Sequence, residues 1–275
     1  MSLRIGTNVA SIAAQRNLDR AESKTTHAIR ALSSGSRIVQ SGDDAAGYAI
    51  SESLRGQAQS LKQAKQNADN ATGLIQVAEG GLNEQNNILI RLRELAVQSA
   101  SDTVGDDERG FLETEFSNLI QEFDRIAATT TYGKKQLLTG TNEEFEFHLG
   151  TGNTDLDIIR YKLETDTRSS SLGIDGMSVV DQGDARSALN EIDGAMMKVA
   201  NARAGFGAIM SRLEIAGNNL DLQRENVLSA RSRIADADVA FEVSEMVQGQ
   251  VMQELGVAVL AQANQNPMRA LRLLG

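Results

Sequence analysis

Apolar residues recur with heptad spacing along one long stretch of this chain. Between Ile50 and Ser99 they step alternately by four and three residues, and most are Leu, Ile or Ala. Such spacing places them on one face of an α-helix and predicts a seam of about seven heptads against partner helices. Two glutamines, Gln57 and Gln85, interrupt the seam. They either fix its register or lie partly exposed, and we favour partial exposure.

Two further stretches repeat the helical pattern. Residues 112–126 give a shorter series, and Asp106 or Asp107 is the expected N-cap of that helix. A break at residues 102–105 would let it pack back to back on the first helix. The third stretch is apolar at every seventh position, namely Ile192, Val199, Phe206, Leu213, Leu220, Val227, Ile234 and Phe241. Arginines on its flank predict a partly exposed rim.

The pattern changes to period two between residues 143 and 164. Two segments alternate apolar and polar side chains around a glycine-rich turn, which predicts a β-hairpin. One face would carry Glu144 and Glu146 near Arg160 and Lys162. The other would carry Phe145, Phe147, Leu149, Ile159, Tyr161 and Leu163. Residues 165–183 are rich in Ser, Gly and Asp and predict a surface loop.

Amphipathic helices are also predicted at both ends of the sequence. The first is marked by Val9, Ile12, Leu18, Ala21, Ile29 and Leu32. The second is marked by Met246, Val247, Val251, Leu255, Ala258 and Val259, and it carries many amides but few charges. Because short isolated helices are marginal in water, both ends need partners.

Composition narrows the class of protein. Only 4% of the residues are aromatic and the single proline is Pro267, which favours long helices with thin seams. The formal net charge is −10, and residues 143–184 hold ten acidic and three basic side chains. No basic stripe indicates nucleic-acid binding. The sequence lacks cysteine, a cleavable signal pattern and a membrane-spanning run, so we expect no membrane insertion. If the protein leaves the cell, we expect an export route that does not cleave a standard signal.

Candidate catalytic chemistry is sparse. His27 and His148 lie in different predicted elements, and neither has the neighbours of a metal-binding motif. Asp43 and Asp44 precede a predicted helix start, where carboxylates cap free amides. We therefore predict no catalytic, cofactor-binding or metal site, and a protein that is not an enzyme.

Six short motifs give the sequence a family resemblance. They are Leu32–Ile38 (LSSGSRI), Asp43–Gly47 (DDAAG), Leu82–Glu84 (LNE), Arg91–Ala100 (RLRELAVQSA), Ser229–Ile234 (SARSRI) and Val259–Gln265 (VLAQANQ). On these residues, within stretches that cover roughly 1–140 and 185–275, the chain resembles bacterial flagellin. Larger flagellins carry variable outer domains between their two conserved arms. The intervening stretch is short here, so the resemblance implies a short form without a separate outer domain.

The resemblance implies a mainly α fold, in which long helical rods form a coiled-coil bundle beside one small β-hairpin. Residues 1–44 and 236–275 would form a terminal coiled-coil inner domain, and residues 45–235 a helical-bundle domain that includes the hairpin. Packing between the two arms would involve Val9, Ile12, Leu32, Val251, Leu255 and Val259. The implied function is that of a structural subunit that polymerises into the extracellular flagellar filament.

Two other functions stay open on the sequence. A hook–filament junction protein shares the two terminal arms, although the blocks at 91–100 and 259–264 favour flagellin itself. An intracellular coiled-coil adaptor is the alternative of another class, and it would form small defined oligomers instead of fibres.

The resemblance also implies partners. They are copies of the chain itself, the flagellar export apparatus, an export chaperone that binds the C-terminus, the filament cap and the hook-associated proteins. A host's flagellin-sensing Toll-like receptor would dock on the first long helix and the helix after it. The candidate subunit or receptor contacts are Arg91, Leu92, Arg93, Glu94, Leu95 and Glu115. In the simpler alternative, a neighbouring subunit buries these residues, and Ile90 stands where the family usually has a polar Gln.

Overall fold

The computed structural model describes residues 7–163 and 165–272, with side chains as far as Gln265. Within that part of the chain the helices are α1 (Val9–Ser34), α2 (Ala45–Ser99), α3 (Asp106–Thr129), α4 (Ser169–Leu172), α5 (Gln182–Ala235) and α6 (Val239–Arg272). The strands are β1 (Thr131–Tyr132), β2 (Lys135–Gln136), β3 (Glu144–His148) and β4 (Ile158–Lys162). The predicted mainly α fold with a small hairpin is confirmed.

The chain divides into two compact units. The terminal unit takes the residues up to Gly56 and from Asn226 onward, and the body unit takes Gln57–Glu225. Both limits lie inside helices, whereas the sequence predicted limits at the helix breaks, near residues 44 and 236. The end of α5 belongs to the terminal unit because it bonds to the segment after α1, where Arg37 N donates to Ala235 O at 2.7 Å.

The body unit buries the heptad seam of α2. Every seam position from Leu61 to Ser99 is buried, while Ile50 and Gln57 at its start are exposed. In α5 the first five positions of the seven-residue series, Ile192 to Leu220, are buried. The last position of that series, Phe241, lies beyond the end of α5 in α6 and is exposed. The largest fully buried side chains include Phe116, Phe123, Phe206, Ile75, Leu82, Leu89, Leu137 and Leu138. The core of this unit therefore consists of large apolar groups.

Gln85 lies inside that core, which corrects the prediction that it is partly exposed. Its side chain is fully buried. Nε2 donates to Phe123 O at 3.2 Å and to Thr167 O at 3.3 Å. Oε1 has no hydrogen-bond partner among the described residues. Gln85 thus ties α2 to α3 and to the segment before α4, and it fixes their register.

The predicted hairpin is present as antiparallel β3 and β4. Phe145 pairs with Tyr161 and Phe147 with Ile159, so the apolar residues share one face. On the other face Arg160 Nε donates to Glu146 Oε1 at 2.8 Å. The Tyr161 ring lies 5.7 Å from that of Phe206 in α5. The apolar face of the hairpin therefore packs on the body unit.

Residues 165–183 are packed against the body unit, which corrects the prediction of a surface loop. Leu172, Ile174 and Val179 are buried there. Ser169 N donates to Asp124 Oδ1 at 2.7 Å, which fixes the start of α4 against α3. The polar composition of residues 165–183 suggested a surface loop. Several of these polar groups instead form hydrogen bonds within the protein.

Helix ends follow local capping chemistry. Asp44 Oδ1 accepts from Gly47 N at 2.9 Å at the start of α2, as predicted. At the start of α3, Glu108 Oε2 accepts from Gly105 N at 3.0 Å. Neither Asp106 nor Asp107 is the N-cap, because that position is Gly105 and both aspartates lie in the first turn. That prediction was wrong by one or two residues.

Candidate self-association surfaces

The two terminal helices pack through small side chains. The buried residues of α1 are Ala14, Ala21, Thr25, Ala28 and Ala31. In α6, Gly249 and Ala263 are buried and Gly256 is half-buried, at intervals of seven residues. We call these eight residues the small-residue seam. Small side chains let two helix backbones approach closely, so the seam fixes a short distance between α1 and α6.

Contacts along the small-residue seam run antiparallel. Thr25 lies against Gly249 and Leu18 against Gly256, so seven residues backward along α1 match seven forward along α6. Nearer the start of α1, Ser11 Oγ bonds to Asn264 Oδ1 at 2.8 Å. The helices therefore keep one register over most of α1.

The larger apolar side chains of these helices lie outside the seam. Five of the six residues predicted to pack between the arms are exposed, namely Val9, Ile12, Val251, Leu255 and Val259, and Leu32 is half-buried. That prediction is corrected for the single chain. Ala, Thr and Gly take most of the positions where α1 and α6 approach each other closely, and of the larger side chains Leu18 is half-buried against Gly256.

The exposed apolar side chains form a surface of their own. We call the following set the apolar arm surface: Val9, Ile12, Ile29, Val239, Phe241, Val243, Val247, Val251, Met252, Leu255, Val257 and Val259. These twelve side chains lie on only two helices, and monomeric proteins rarely expose large apolar patches. Such a surface marks a site of association.

The two helix breaks of the terminal unit are bonded to each other. Arg37 N donates to Ala235 O at 2.7 Å, and Ala237 N donates to Gly35 O at 3.0 Å. Ser36 Oγ donates to the same Ala235 carbonyl at 2.8 Å. These bonds satisfy carbonyls that the end of α5 leaves free, and they fix where α6 begins relative to α1.

Asp43 holds the segment between α1 and α2. Its Oδ2 accepts from Gln40 N at 2.8 Å and from Val39 N at 3.0 Å. The amide of Gln40, and after it that of Val39, hold the pKa of Asp43 below its usual value against the opposing effect of burial. His27 Nδ1 lies 3.6 Å from Asp43 Oδ1. Asp43 therefore organises a turn, and the predicted capping role is carried by Asp44 at the helix itself.

The six predicted contacts on α2 and α3 divide into two groups. Leu92 and Leu95 are fully buried in the body unit, so they do not reach a partner. The exposed group consists of Arg91, Arg93, Glu94 and Glu115. Helical periodicity explains the division, because both leucines face the core.

The exposed charges of this surface are bonded within the chain. Arg91 Nε donates to Glu115 Oε1 at 2.9 Å and Nη1 to Glu94 Oε2 at 2.9 Å. The bond to Glu115 is the main cause that raises the pKa of Arg91. Arg93 Nε donates to Asp193 Oδ1 at 2.8 Å, which lowers the pKa of Asp193. These pairs connect α2 to α3 and to α5.

Among the described residues, no group of three His, Asp or Glu side chains could hold a metal ion. Across residues 7–163 and 165–272, no helix is both long and apolar enough to cross a membrane.

Sequence reasoning missed the residues that join the terminal helices. Thr25, Gly249 and Gly256 were not among the predicted contacts. A signal was present, because Gly249, Gly256 and Ala263 recur at intervals of seven. A search for heptads of large apolar residues passes over glycine and alanine.

Two family models match this chain. The bacterial flagellin N-terminal helical region matches residues 5–143, and the bacterial flagellin C-terminal helical region matches residues 189–274. The flagellin of Halalkalibacterium halodurans is 37% identical over 271 residues, which cover 98% of this chain and 99% of that protein. The 30.7 kDa flagellar filament core protein of Treponema maltophilum is 36% identical over 285 residues, with the same two coverages.

Solved structures agree in fold. The flagellin of Bacillus cereus is 27% identical, with a TM-score of 0.51 over 56% of this chain and 88% of that one. A candidate flagellar hook-associated protein of Vibrio parahaemolyticus has a TM-score of 0.60 over 70% of this chain and 100% of that one. Its identity is only 15%, so this second likeness shows the fold alone.

Proposed function

The chain belongs to the bacterial flagellin family, and from that membership we propose how its surfaces serve polymerisation. It is a structural subunit of the flagellar filament, the class to which the related filament core proteins belong. The observation that carries the proposal is the apolar arm surface. Its side chains contact neighbouring copies of the chain, and the subunit is complete only in the polymer.

The apolar arm surface suits an open helical array. A filament needs contacts between different surfaces of successive subunits, with a rotation between subunits that does not close into a ring. α1 contributes Val9, Ile12 and Ile29, while α6 is apolar around much of its circumference from Val239 to Val259. A helix with apolar residues on several sides is stable only when several neighbours cover it.

The terminal unit is proposed to become fully ordered during assembly. Two helices that meet through small side chains bury little apolar area against each other, so the cost of ordering them is offset mainly when neighbours cover the larger side chains. The body unit has its own large-residue core and folds before assembly. This division keeps α1 and α6 from polymerising early in the cytoplasm. Residues 1–44 and 236–275 then act as the inner coiled coil and residues 45–235 as the surrounding bundle.

The hairpin is proposed as the solvent-facing side of the subunit in the filament. Its exposed strand positions are charged, and Arg160 is bonded to both Glu146 and Asp155 at 2.8 and 2.9 Å. Leu156 at its turn is 96% exposed, so the single chain gives it no packing role.

The remaining partners follow from family membership. The chain is proposed to leave the cell through the flagellar export apparatus without a cleaved signal, with a chaperone on its C-terminus. The filament cap and the hook-associated proteins would contact the same terminal helices. The polymer lies outside the cell.

Recognition by a host's flagellin-sensing Toll-like receptor is proposed through exposed charges alone. Arg91, Glu94 and Glu115 can reach a receptor, whereas Leu92 and Leu95 cannot. Arg91→Ala should lower the reporter-cell response to verified monomer. Arg125→Ala is the matched control, since Arg125 pairs with Glu122 on the exposed side of α3. An unchanged response to Arg91→Ala would reject the receptor contact.

The main test is seeded elongation with two leucine variants. Leu255→Gln changes a 56% exposed member of the apolar arm surface, and Leu156→Gln makes the same change at the hairpin turn. Leu255→Gln should raise the critical concentration for elongation from sheared filament seeds about fivefold or more, because a buried unpaired amide costs about 1–3 kcal/mol. Leu156→Gln should elongate like the unmodified chain. Equal elongation by both variants would reject the apolar arm surface as the assembly contact.

A further inference from the structure

Thr25 and Gly249 make the closer of the two glycine contacts in the small-residue seam. A Cβ placed on Gly249 would come closer than 3.0 Å to Thr25 Oγ1, and 3.4 Å from the Ala21 carbonyl oxygen. Real Cβ atoms essentially never approach another heavy atom that closely. With any side chain at position 249, either the backbones of α1 and α6 must separate or Thr25 must move.

Thr25 is poorly placed to move. It is 6% exposed, and its hydroxyl donates to Ala21 O at 2.9 Å. The same hydroxyl accepts from Gln253 Nε2 at 3.4 Å, one turn further along α6. A β-branched side chain in a helix also has few rotamers available. The position of Thr25 is thus fixed from both helices.

The contact between Leu18 and Gly256 can accommodate a side chain more easily. A Cβ on Gly256 would lie 3.1 Å from Leu18 Cδ1, the far end of a flexible side chain. Leu18 can shift by a few tenths of an ångström. Of the two glycines in this seam, only Gly249 meets a constrained group.

We propose that the Thr25–Gly249 contact sets the register of α6 along α1 and thereby decides which apolar side chains face neighbouring copies. A slip by one helical turn would place a side chain of α6 against Thr25 in place of Gly249. It would also move Val251, Leu255 and Val259 relative to Val9 and Ile12. This inference rests on the proposed function, since the selected surface is the one used in assembly.

Glycine at position 249 opposes helix propensity, which makes the test diagnostic. An interior glycine destabilises a helix relative to alanine, so Gly249→Ala should favour α6 itself. If the Thr25–Gly249 contact sets the register, Gly249→Ala should instead weaken assembly. Gly249→Ala should raise the critical concentration for seeded elongation about tenfold or more, because overpacking forces the helices apart.

Two variants accompany it. Gly194→Ala is the matched control, since a Cβ there meets nothing within 4 Å, and it should elongate normally. Adding Thr25→Ala to Gly249→Ala removes the clashing oxygen and should restore elongation to within about threefold of Thr25→Ala alone. Normal elongation by Gly249→Ala, an equal loss in Gly194→Ala, or no rescue in the double variant while Thr25→Ala elongates would each overturn the register contact.

A chemical readout covers the case in which Thr25→Ala itself fails to elongate. The sequence has no cysteine, so introduced cysteine pairs can be cross-linked without competing native thiols. Ser11→Cys with Asn264→Cys should be joined within one chain in filaments by a short thiol-specific cross-linker, because those side chains are bonded at 2.8 Å. Ser11→Cys with Val257→Cys, one heptad out of register, should not. Equal cross-linking of both pairs would overturn the proposal. Failure of the unmodified chain to elongate would instead count against the filament function itself.

Discussion

The body unit and the terminal unit bury their helices with different kinds of side chain. In the body unit, the helices α2, α3 and α5 enclose Phe116, Phe123 and Phe206 together with many leucines. In the terminal unit, α1 and α6 meet mainly through alanine, threonine and glycine, and their Val and Ile side chains and Leu255 are exposed. Large apolar side chains thus stabilise the body unit from inside. In the terminal unit most of them are exposed, where neighbouring copies can cover them.

This difference indicates which residues can stabilise the single chain and which can stabilise a polymer. Large apolar groups inside the body unit contribute about 1.5–3 kcal/mol each on burial, and that gain is complete in the single chain. The corresponding gain for the apolar arm surface is available only on assembly. Folding and polymerisation therefore draw on separate sets of residues, and separate mutations should affect them.

The largest expected contrast is in local stability of the free monomer. Amides in α2 between Leu61 and Ser99 should open only with global unfolding, about 5–15 kcal/mol, whereas those of α1 and α6 should open at below about 2 kcal/mol. Hydrogen exchange on dilute monomer, with its mass checked by light scattering, measures this. Trypsin should accordingly cut near residues 1–40 and 240–275 first. Uniform protection would mean that the arms fold without partners.

A pair of phenylalanines tests whether each unit uses its own residues. Phe206 is fully buried in the body unit, and Phe241 is 61% exposed in the terminal unit. Phe206→Ala should lower the free energy of unfolding of the monomer by about 3–5 kcal/mol. Phe241→Ala should change it by less than about 0.5 kcal/mol yet raise the critical concentration for elongation. Urea titration followed by circular dichroism gives the first quantity, and similar losses in both variants would contradict the division.

Two glutamines on the same seam sharpen the contrast between core and exposed positions. Gln85→Leu should lower monomer stability by about 1–2 kcal/mol, since it leaves the carbonyls of Phe123 and Thr167 without their donor. Gln57→Leu, at an exposed seam position, should leave stability nearly unchanged. Denaturant unfolding of both variants provides the comparison. A neutral Gln85→Leu would show that the buried amide has no register role.

The smallest of these effects is the loss of stability that acid should cause in the terminal unit. Because the folded-state pKa of Asp43 is lowered, its contribution to stability is present at neutral pH and is lost as the pH falls through that lowered value, below the ordinary carboxyl range near 4. Carbon NMR of the Asp43 carboxyl, with the Val39 and Gln40 amides as reporters, should show titration below that range. Asp43→Asn should remove the pH response of both amides. Titration of Asp43 at an ordinary or higher pH would contradict the two hydrogen bonds.

Periodicity predicted the elements whose cores are made of large residues. The seam from Leu61 to Ser99 and the series from Ile192 to Leu220 are buried as expected, because a helix must hide a continuous apolar stripe. The hairpin followed from its alternation and pairs Phe145 with Tyr161. Periodicity failed where polar groups find internal partners. Gln85 and Ser169 are buried because acceptors or donors from distant segments reach them.

The candidate surfaces could be predicted only in part. Sequence motifs singled out residues 91–95, but exposure within that block depends on which helix face meets the core, and Leu92 and Leu95 face it. The apolar residues of the arms were identified correctly as a group. Their assignment to packing between the arms was wrong for the single chain, because the pattern cannot say how closely two helices approach.

The sequence by itself determined the family, the long helices, the acidic hairpin and the excess of apolar residues at both ends. These properties depend on residue order along one helix or strand, where spacing alone decides which side chains share a face. The tertiary structure decided that Gly249 meets Thr25, that Gln85 bridges three segments, and that Leu255 remains exposed. Those outcomes depend on distances between segments far apart in the chain. Such distances follow from the packing of whole helices, and no local pattern encodes them.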